Sequence, residues 1–244
     1  MITSIDINAD LGEGARDDAL IMPLISSCSV ACGGHYGSEY TILQTVKLAM
    51  ANGVKVGAHP SFPDKVNFGR KKMSLSPSEL KSTLSLQLNS FIKVCNGLGV
   101  SLNHVKPHGA LYNFAAIDEA TSKILVASIM ETGLEPVLYA PKNSVLSCVA
   151  KDYLPVAFEA FVDRRYTDDL QLVSRTLNDA VISSPIQAFE QLMSICAEQK
   201  VRTISGKTKD LEAHTFCVHS DNPNALEILN LIYEELTRLQ IHIK

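Results

Sequence analysis

The amino-acid sequence predicts an α/β protein whose parallel sheet closes into a barrel. Short runs rich in β-branched residues alternate with helical patterns along the 244 residues. No Pro/Gly/Ser linker, low-complexity tract or internal repeat divides the chain. Most of the strand-like runs end in a polar cluster, whereas open dinucleotide-binding sheets concentrate their polar chemistry in one glycine-rich turn. We therefore expect a single β/α-barrel catalytic domain over residues 1–244.

Strands are predicted where a short apolar run is bounded by turn-forming or polar residues, and helices where apolar residues recur at helical spacing. One of the clear helices, Pro77–Asn96, is preceded by Ser76 as N-cap, with Glu79 three residues later. The stretch Pro60–Ser76 has neither pattern, and long ordered loops in compact domains usually serve as lids or binding loops. The predicted strands are Ile2–Asn8, Ser27–Ala31, Val54–Ala58, Asn103–Val105, Pro136–Tyr139, Val156–Phe161, Val201–Ile204 and Thr215–Val218. The predicted helices are Glu39–Ala51, Pro77–Asn96, Ile117–Glu131, Ile186–Glu198 and Asn224–Leu239.

Composition and charge argue against several classes of partner. The net charge is −4, and Lys and Arg are scattered without a basic stripe. We therefore expect neither nucleic acid nor a membrane as partner and favour a small-molecule substrate, with a homo-oligomer left open. No signal-peptide pattern and no run approaching ~18 apolar residues is present, so we expect a cytoplasmic protein. The six cysteines are too few for a disulfide scaffold and predict buried free thiols.

The first strand is unusually polar. Strand alternation places Asp6, Asn8 and Asp10 on one face, although barrel strands are buried on both faces. Buried polar groups need hydrogen-bond partners, a metal or water. We therefore expect Asp10 and Glu13 to be functional carboxylates. In the competing interpretation Asp10 caps the helix predicted to begin near Asp17, but Asp10 lies too far upstream for that.

Four strand-like runs end in a cluster that contains a histidine, namely His35, His59, His108 and His219. Loops that leave the carboxyl ends of barrel strands emerge on one side, so these residues are expected to converge on one pocket. A lone histidine is usually only a satisfied polar residue, but the repetition favours a functional site. Asp10 with His35 and His59 is also a ligand set suited to a divalent metal. The sequence leaves open whether a metal is bound, and which one.

The segment that begins at Lys106 is the densest in reactive groups. Lys106, His108 and Tyr112 place an amine, an imidazole and a phenol in one turn directly after a strand. Desolvation would lower the pKa of the lysine unless a carboxylate of the first strand pairs with it. We therefore predict that Lys106 and His108 take part in catalysis.

A later cluster follows the strand at Val156–Phe161. Asp163 and Arg164 come directly after it, and an arginine there is suited to bidentate binding of a carboxylate or phosphate. The competing interpretation, a surface ion pair with the acids that follow, is stronger for Arg165 than for Arg164. After the last strand, His219 is a better functional candidate than the residues that cap the final helix.

The sequence contains no recognisable ATP-binding motif. Gly206-Lys207-Thr208 resembles the end of a P-loop, but Val201 stands where the first glycine of the phosphate cradle is required. The turn Gly12-Glu13-Gly14 lacks the third glycine of a dinucleotide-binding fingerprint.

Six segments, in order along the chain, resemble the signature motifs of the LamB/YcsF family, and together they span essentially its whole length. The resemblance implies a (β/α) barrel of the glycoside hydrolase/deacetylase type, with seven strands expected. It also implies the ATP-dependent hydrolytic ring opening of 5-oxo-L-proline to L-glutamate by a 5-oxoprolinase complex with B and C subunits, in which the complex consumes the ATP. The segments are Asp6–Gly14, Ala31–His35, Gly57–Asp64 with Phe68–Arg70, Val105–Asn113, Asp163–Tyr166 and Cys217–Pro223.

The chain departs from the family pattern at four positions. Gly34 stands where the family usually has Phe, Tyr36 where it has a small residue, Ser38 where it has Asp, and Ser220 where it has Gly. We expect these differences to alter the rim of the pocket. The resemblance therefore indicates the family more firmly than the exact substrate.

Opening an unstrained lactam requires an activated water, a stabilised oxyanion and a proton for the departing nitrogen. We expect a first-strand carboxylate with His59 to activate the water, Lys106 and His108 to stabilise the oxyanion or protonate the nitrogen, and Arg164 to bind the substrate carboxylate. Two alternatives stay open: a stand-alone metal-dependent deacetylase or amidohydrolase of carbohydrate-type amides, and a non-catalytic assembly subunit. The predicted catalytic residues are Asp10, Glu13, His59, Lys106, His108, Asp163 and His219. The predicted substrate-binding residues are Asn8, His35, Arg70, Tyr112 and Arg164.

Overall fold

The computed structural model describes residues 2–244, over which strands alternate with helices as the sequence predicts. A short 3-10 helix, Met22–Leu24, follows the first α-helix. The strands are β1 (Ser4–Leu11), β2 (Ser27–Ala31), β3 (Lys55–His59), β4 (His104–Val105), β5 (Val137–Ala140), β6 (Val156–Phe161), β7 (Lys200–Arg202), β8 (Thr208–Asp210), β9 (Thr215–His219) and β10 (His242–Ile243). The helices are α1 (Asp18–Ile21), α2 (Glu39–Asn52), α3 (Pro77–Leu98), α4 (Gly109–Ala115), α5 (Glu119–Met130), α6 (Val145–Ala150), α7 (Pro185–Glu198) and α8 (Ala225–Arg238).

The strands are hydrogen-bonded in the order β10-β1-β2-β3-β4-β5-β6-β9, and β1 also pairs with β9. Strands β1 to β6 and β9 therefore close into a seven-stranded parallel barrel, with β10 added beside β1. The register places Gly57 of β3 opposite His104 of β4, and Glu159 of β6 opposite Thr215 of β9. The α/β barrel predicted from the sequence is confirmed.

The helix α3 shows why local sequence signals were sufficient for most helices. Its capping box forms as predicted, because the Ser76 hydroxyl accepts from the backbone N–H of Glu79 and the Glu79 carboxylate accepts from the N–H of Ser76. The helix ends at Gly99, which adopts the left-handed conformation that glycine tolerates best. Between these signals Leu84, Leu88 and other apolar residues at helical spacing are fully buried.

Two predicted elements are wrong in part. The strand predicted at Val201–Ile204 is not in the barrel, because β7 turns back at Gly206 and pairs antiparallel with β8. The helix predicted at Ile117–Glu131 begins only at Glu119, because the Asp118 side chain accepts from the Thr121 N–H and caps it. Ile117 lies in the turn between this helix and the separate helix α4, which ends at Ala115.

The chain divides into two compact units. Unit 1 contains residues 2–9, 16–27 and 158–244, and unit 2 contains residues 10–15 and 28–157. In unit 1, α7 packs against α8, whose apolar face is fully buried. In unit 2, α3 packs against α2 and α5.

The six cysteines are free, and four of them are buried as expected, whereas Cys148 is exposed and Cys196 is half-buried. Across the described part of the chain, the helices are all too short or too polar to cross a membrane.

Candidate functional site

The site in unit 2 begins where β1 ends. Asp10 is buried near the carboxyl end of the strand. The next carboxylate, Glu13, lies in a turn between Gly12 and Gly14. Both glycines adopt positive φ angles, of 72° and 83°, which β-branched or bulky residues rarely adopt. The glycines thus allow the chain to bend sharply and turn the Glu13 side chain inward, where only 6% of it is exposed.

Three histidines surround the Glu13 carboxylate. Its Oε1 lies 2.7 Å from His35 Nε2, 3.3 Å from His108 Nδ1 and 3.7 Å from His59 Nε2. Burial alone would raise the pKa of Glu13. The neighbouring imidazoles of His108, His35 and His59 outweigh burial and hold this pKa well below its usual value. Glu13 is therefore an anion at neutral pH.

The three imidazoles are held rigidly against each other and against the backbone. His59 Nδ1 donates to the Lys106 carbonyl at 2.7 Å, and His108 Nε2 donates to the Phe68 carbonyl at 2.9 Å. The rings of His35 and His108 stack with centroids 3.7 Å apart and planes 6° apart. Burial lowers the pKa of His59 and of His35, so both favour the neutral form.

Lys106 and Asp10 form a buried ion pair beside this cluster. The Nζ and Oδ1 atoms lie 2.9 Å apart, and the exposed fractions of the two side chains are 2% and 6%. The sequence left open which first-strand carboxylate would pair with this lysine, and the structure identifies Asp10. The other oxygen of Asp10, Oδ2, lies 3.4 Å from His59 Nε2, so the ion pair borders the histidine cluster.

The loop at residues 60–76 contains neither helix nor strand, as predicted, and it contributes an aromatic residue to the site. The Phe68 ring lies 5.2 Å from the ring of His35 and 5.4 Å from that of His108. Phe68 adopts a φ of +54°, which is uncommon for a bulky residue. The guanidinium of Arg70, an exposed residue, lies 5.1 Å from the Phe68 ring centroid, and Tyr112 is buried in α4.

Sequence analysis missed Gln87, which anchors this loop. Its side-chain amide donates to the Ser61 carbonyl at 2.8 Å, and its carbonyl oxygen accepts from the Ser61 N–H at 3.0 Å. The signal was available, because Gln87 is a polar residue on the buried, apolar face of α3. Gly34 completes the arrangement, since a Cβ there would overlap the Gln87 amide oxygen and the Ser61 hydroxyl.

His104, in the predicted strand Asn103–Val105, was given no role by the sequence analysis, and the structure shows it to be a buried polar residue. It lies 3.2 Å from the Ser29 hydroxyl and stacks on Tyr139 with centroids 4.1 Å apart. Burial, assisted by the charge of Lys106, lowers the pKa of His104 to about 3. His104 is therefore neutral and belongs to the polar interior of the barrel strands.

Unit 1 contains a different arrangement, an Asp–His pair. Asp163 Oδ1 lies 2.8 Å from His219 Nδ1, and Asp163 Oδ2 accepts from the His219 N–H and from the Asn222 side chain. Burial would raise the pKa of Asp163, but His219 and Asn222 lower it below its usual value. The pair holds His219 with Nδ1 directed at the carboxylate, the geometry that orients a general base or acid.

The remaining predicted residues of unit 1 are held by structural hydrogen bonds. The Arg164 guanidinium donates to the backbone carbonyls of Val173 and Ala180, at 2.6 and 3.4 Å. The buried amide of Asn8 donates to Thr215 at 2.8 Å and to Glu159 at 3.1 Å. Both side chains organise the interior of their unit, and their predicted substrate contacts stay predictions.

A group of side chains within unit 2 could hold a metal ion. Ligand atoms of Glu13, His35, His59 and His108 all lie within 4.8 Å of one another. The metal candidates named from the sequence were Asp10, His35 and His59. The structure keeps both histidines in the group, places Asp10 beside it, and adds Glu13 and His108.

The fold and the site define a β/α-barrel protein with a buried carboxylate, histidine and lysine site at its strand ends. Residues 5–244 match the LamB/YcsF family, and the chain belongs to it. It is 40% identical to the A subunit of 5-oxoprolinase from Staphylococcus haemolyticus over 98% of both chains. It superposes on the crystal structure of the lactam utilization protein from Thermus thermophilus with a TM-score of 0.91, at 36% identity over 99% of both chains.

The wider fold is shared with carbohydrate esterases. The family 4 carbohydrate esterase from Streptomyces lividans aligns with a TM-score of 0.52 and 11% identity, over 98% of this chain and 91% of the esterase. At that identity the likeness concerns the fold alone.

Proposed function

We propose that this chain is the lactam-binding A subunit of an ATP-dependent 5-oxoprolinase, which opens 5-oxo-L-proline to L-glutamate together with B and C subunits. The observation that carries the proposal is the buried cluster of Asp10, Lys106, Glu13 and His59, which supplies acid, base and positive charge side by side. Relatives at about 40% identity that are named as the A subunit of 5-oxoprolinase support the same reaction.

In the proposed reaction a water oxygen bonds to the lactam carbonyl carbon, the ring C–N bond breaks, and the nitrogen takes up a proton. Asp10, paired with Lys106 and 3.4 Å from His59, is the base that we propose for the water. The Lys106 ammonium stabilises the negative charge that develops on the carbonyl oxygen. Partner subunits supply the ATP step, and this chain handles the lactam or its phosphorylated form.

Two groups are proposed to hold the substrate. Among residues 2–244, the Nδ1 atom of His35 is buried and has no hydrogen-bond partner, while its Nε2 donates a hydrogen bond to the Glu13 carboxylate. A buried acceptor without a partner is unfavourable by ~1–3 kcal/mol, so we propose that the lactam N–H donates to it. Arg70 is exposed, and its guanidinium lies 5.1 Å from the ring of Phe68, which itself contacts His35 and His108. We therefore propose Arg70 as the group that binds the substrate carboxylate.

The test is co-expression of the chain with candidate B and C subunits and an assay of glutamate release from 5-oxoproline with and without ATP. We expect release only from the complete complex with ATP, and neither ATP hydrolysis nor ring opening from the isolated chain. The variant Lys106→Ala should reduce this release. Lys47→Ala, at an exposed lysine of α2, is its matched control and should leave the release unchanged. Robust ATPase activity of the isolated chain would overturn the proposed division of labour.

The second candidate is a stand-alone metal-dependent amidohydrolase or deacetylase of carbohydrate-type amides. The cluster of Glu13, His35, His59 and His108 favours it, because such side chains are ligands of catalytic zinc. Hydrolysis of an N-acetylated sugar by the isolated chain, without ATP or partners, would support this candidate against the first. A non-catalytic assembly subunit would give neither activity under any of these conditions.

A further inference from the structure

The hydrogen bonds of two histidines fix which of their nitrogens carry protons. His59 Nδ1 lies 2.7 Å from the Lys106 carbonyl oxygen, and His108 Nε2 lies 2.9 Å from the Phe68 carbonyl oxygen. A carbonyl oxygen can only accept, so the proton in each bond belongs to the imidazole. In a neutral imidazole the second nitrogen then carries a lone pair. His59 Nε2 and His108 Nδ1 are therefore both acceptors.

These two acceptors face each other. His59 Nε2 and His108 Nδ1 lie 2.9 Å apart, a distance at which two lone pairs repel unless something positive lies between or beside them. The Glu13 carboxylate lies 3.7 Å from the first nitrogen and 3.3 Å from the second. The site thus directs two lone pairs and one negative charge toward the same small volume.

A proton and a metal ion would satisfy this arrangement to different extents. A proton on one of the two facing nitrogens gives a single hydrogen bond between the rings and leaves the Glu13 oxygen outside that bond. A metal ion accepts all three ligand atoms at once. Ligand atoms ~2.1 Å from one ion lie about 3.0 Å apart at right angles and about 3.4 Å apart at the tetrahedral angle. The observed separations of 2.9 and 3.3 Å lie close to these two values, and 3.7 Å corresponds to a wider angle of about 120°.

We propose that Glu13, His59 and His108 bind one divalent first-row transition-metal ion, as a set of two histidines and one carboxylate that leaves coordination positions open. The outer nitrogens of both histidines donate to backbone carbonyls, the usual support for metal-binding imidazoles. The backbone of the barrel thereby presets their tautomers and ring orientations.

His35 belongs to the outer layer of this site. Its ring is stacked parallel on His108, 3.7 Å away, so a lone pair in its plane cannot point at the same ion as the lone pair of His108. Its Nε2 instead donates to Glu13 at 2.7 Å and orients the carboxylate. The metal-binding role concerns the same residues as the proposed lactam opening but does not depend on it, because the purified chain binds metal without partners or ATP.

The test measures metal directly on the purified full-length chain. After removal of bound metal with a chelator, Co²⁺ and Zn²⁺ are titrated separately, and binding is followed by Co²⁺ visible absorption, by calorimetry and by elemental analysis after gel filtration. We expect about one ion per chain and a tetrahedral or five-coordinate Co²⁺ spectrum. Glu13→Gln, His59→Gln and His108→Gln should abolish stoichiometric binding. His35→Gln should weaken binding about 10–100-fold, as loss of an outer hydrogen bond does.

The matched control is His242→Gln, at an exposed histidine of β10, which should bind as the wild type does. A folded wild-type chain that binds neither ion at micromolar concentration would overturn the proposal, and so would His59→Gln with unchanged affinity. If a variant of a metal-binding residue fails to fold, the metal stoichiometry and the Co²⁺ spectrum of the wild-type chain still test the proposal. Failure of glutamate release in the reconstituted complex, with metal bound, would count against the proposed reaction and not against the metal site.

Discussion

The two units use histidine in opposite ways. In unit 1, one carboxylate, Asp163, accepts from a single histidine and from neighbouring donors, and the side chain of His219 is 15% exposed. In unit 2, one carboxylate, Glu13, lies among three buried histidines. A carboxylate satisfied by donors orients one imidazole for proton transfer. A carboxylate that shares a volume with converging lone pairs is built to hold a cation. The arrangement of partners, and not the residue types, separates the two chemistries.

The largest effect is expected from Lys106→Ala in unit 2. The variant leaves Asp10 buried without its ammonium partner, and removing one member of a buried ion pair typically lowers stability by ~3–5 kcal/mol. Turnover of the reconstituted complex should also fall about 10²–10⁴-fold. The double variant Asp10→Asn/Lys106→Met removes both charges and should regain most of the stability but none of the activity. Urea denaturation and glutamate release measure the two effects, and wild-type stability of Lys106→Ala would contradict the assigned ion pair.

In unit 1, His219→Asn should lower turnover of the complex by about 10²-fold or more, if the Asp–His pair transfers a proton. Asp163→Asn should act in the same direction, because the wrong tautomer of His219 is then favoured. Neither variant should change the metal stoichiometry of the isolated chain. A His219→Asn variant that loses metal would erase the distinction between the two units.

A smaller effect is expected from Gly34→Ala, which tests how unit 2 positions its loop. The added Cβ overlaps Gln87 and Ser61, and overpacking of this kind typically lowers stability by ~1–3 kcal/mol. The matched control is Gly97→Ala in α3, where a Cβ meets no atom within 4 Å. Because alanine favours helix, the control should stabilise by up to ~1 kcal/mol. Equal denaturation midpoints of the two variants would show that the Gly34 contact tolerates a methyl group.

The smallest effect per side chain is a pH dependence that reports mainly on unit 2. The pKa values of His35, His59 and His104 are lowered in the folded state, so the unfolded chain binds more protons below about pH 6.5. Their contribution to stability is present above pH 6.5 and is lost as the pH falls, by at most ~1.4 kcal/mol per pH unit for each histidine. Glu13 acts in the same direction below about pH 4.5. Urea denaturation at pH 7.5 and pH 5.5 should show lower stability at pH 5.5; the opposite trend would contradict these environments.

The sequence predicted the fold well because strand and helix signals are local. The bounds of β2 and β6 coincide with the predicted runs, and α3 begins at the predicted residue. The errors arose where one side chain or one turn overrides periodicity. Asp118 caps a new helix inside an apolar pattern, and Gly206 folds β7 into a hairpin instead of a barrel strand.

By itself, the sequence determined the alternation of strands and helices, the polar clusters at the strand ends and the chemical groups in each cluster. Only the tertiary structure decided which groups meet. His59 and His108 are 49 residues apart in the chain, and their nitrogens come within 2.9 Å because β3 and β4 pair in one register. Strand periodicity reports which face of the backbone is buried. Periodicity cannot report which distant side chain lies opposite that face, since the pairing of distant residues depends on strand register and on how the barrel closes. For that reason the pairing of Lys106 with Asp10, the anchoring by Gln87 and the convergence of three histidines on Glu13 emerge only from the folded chain.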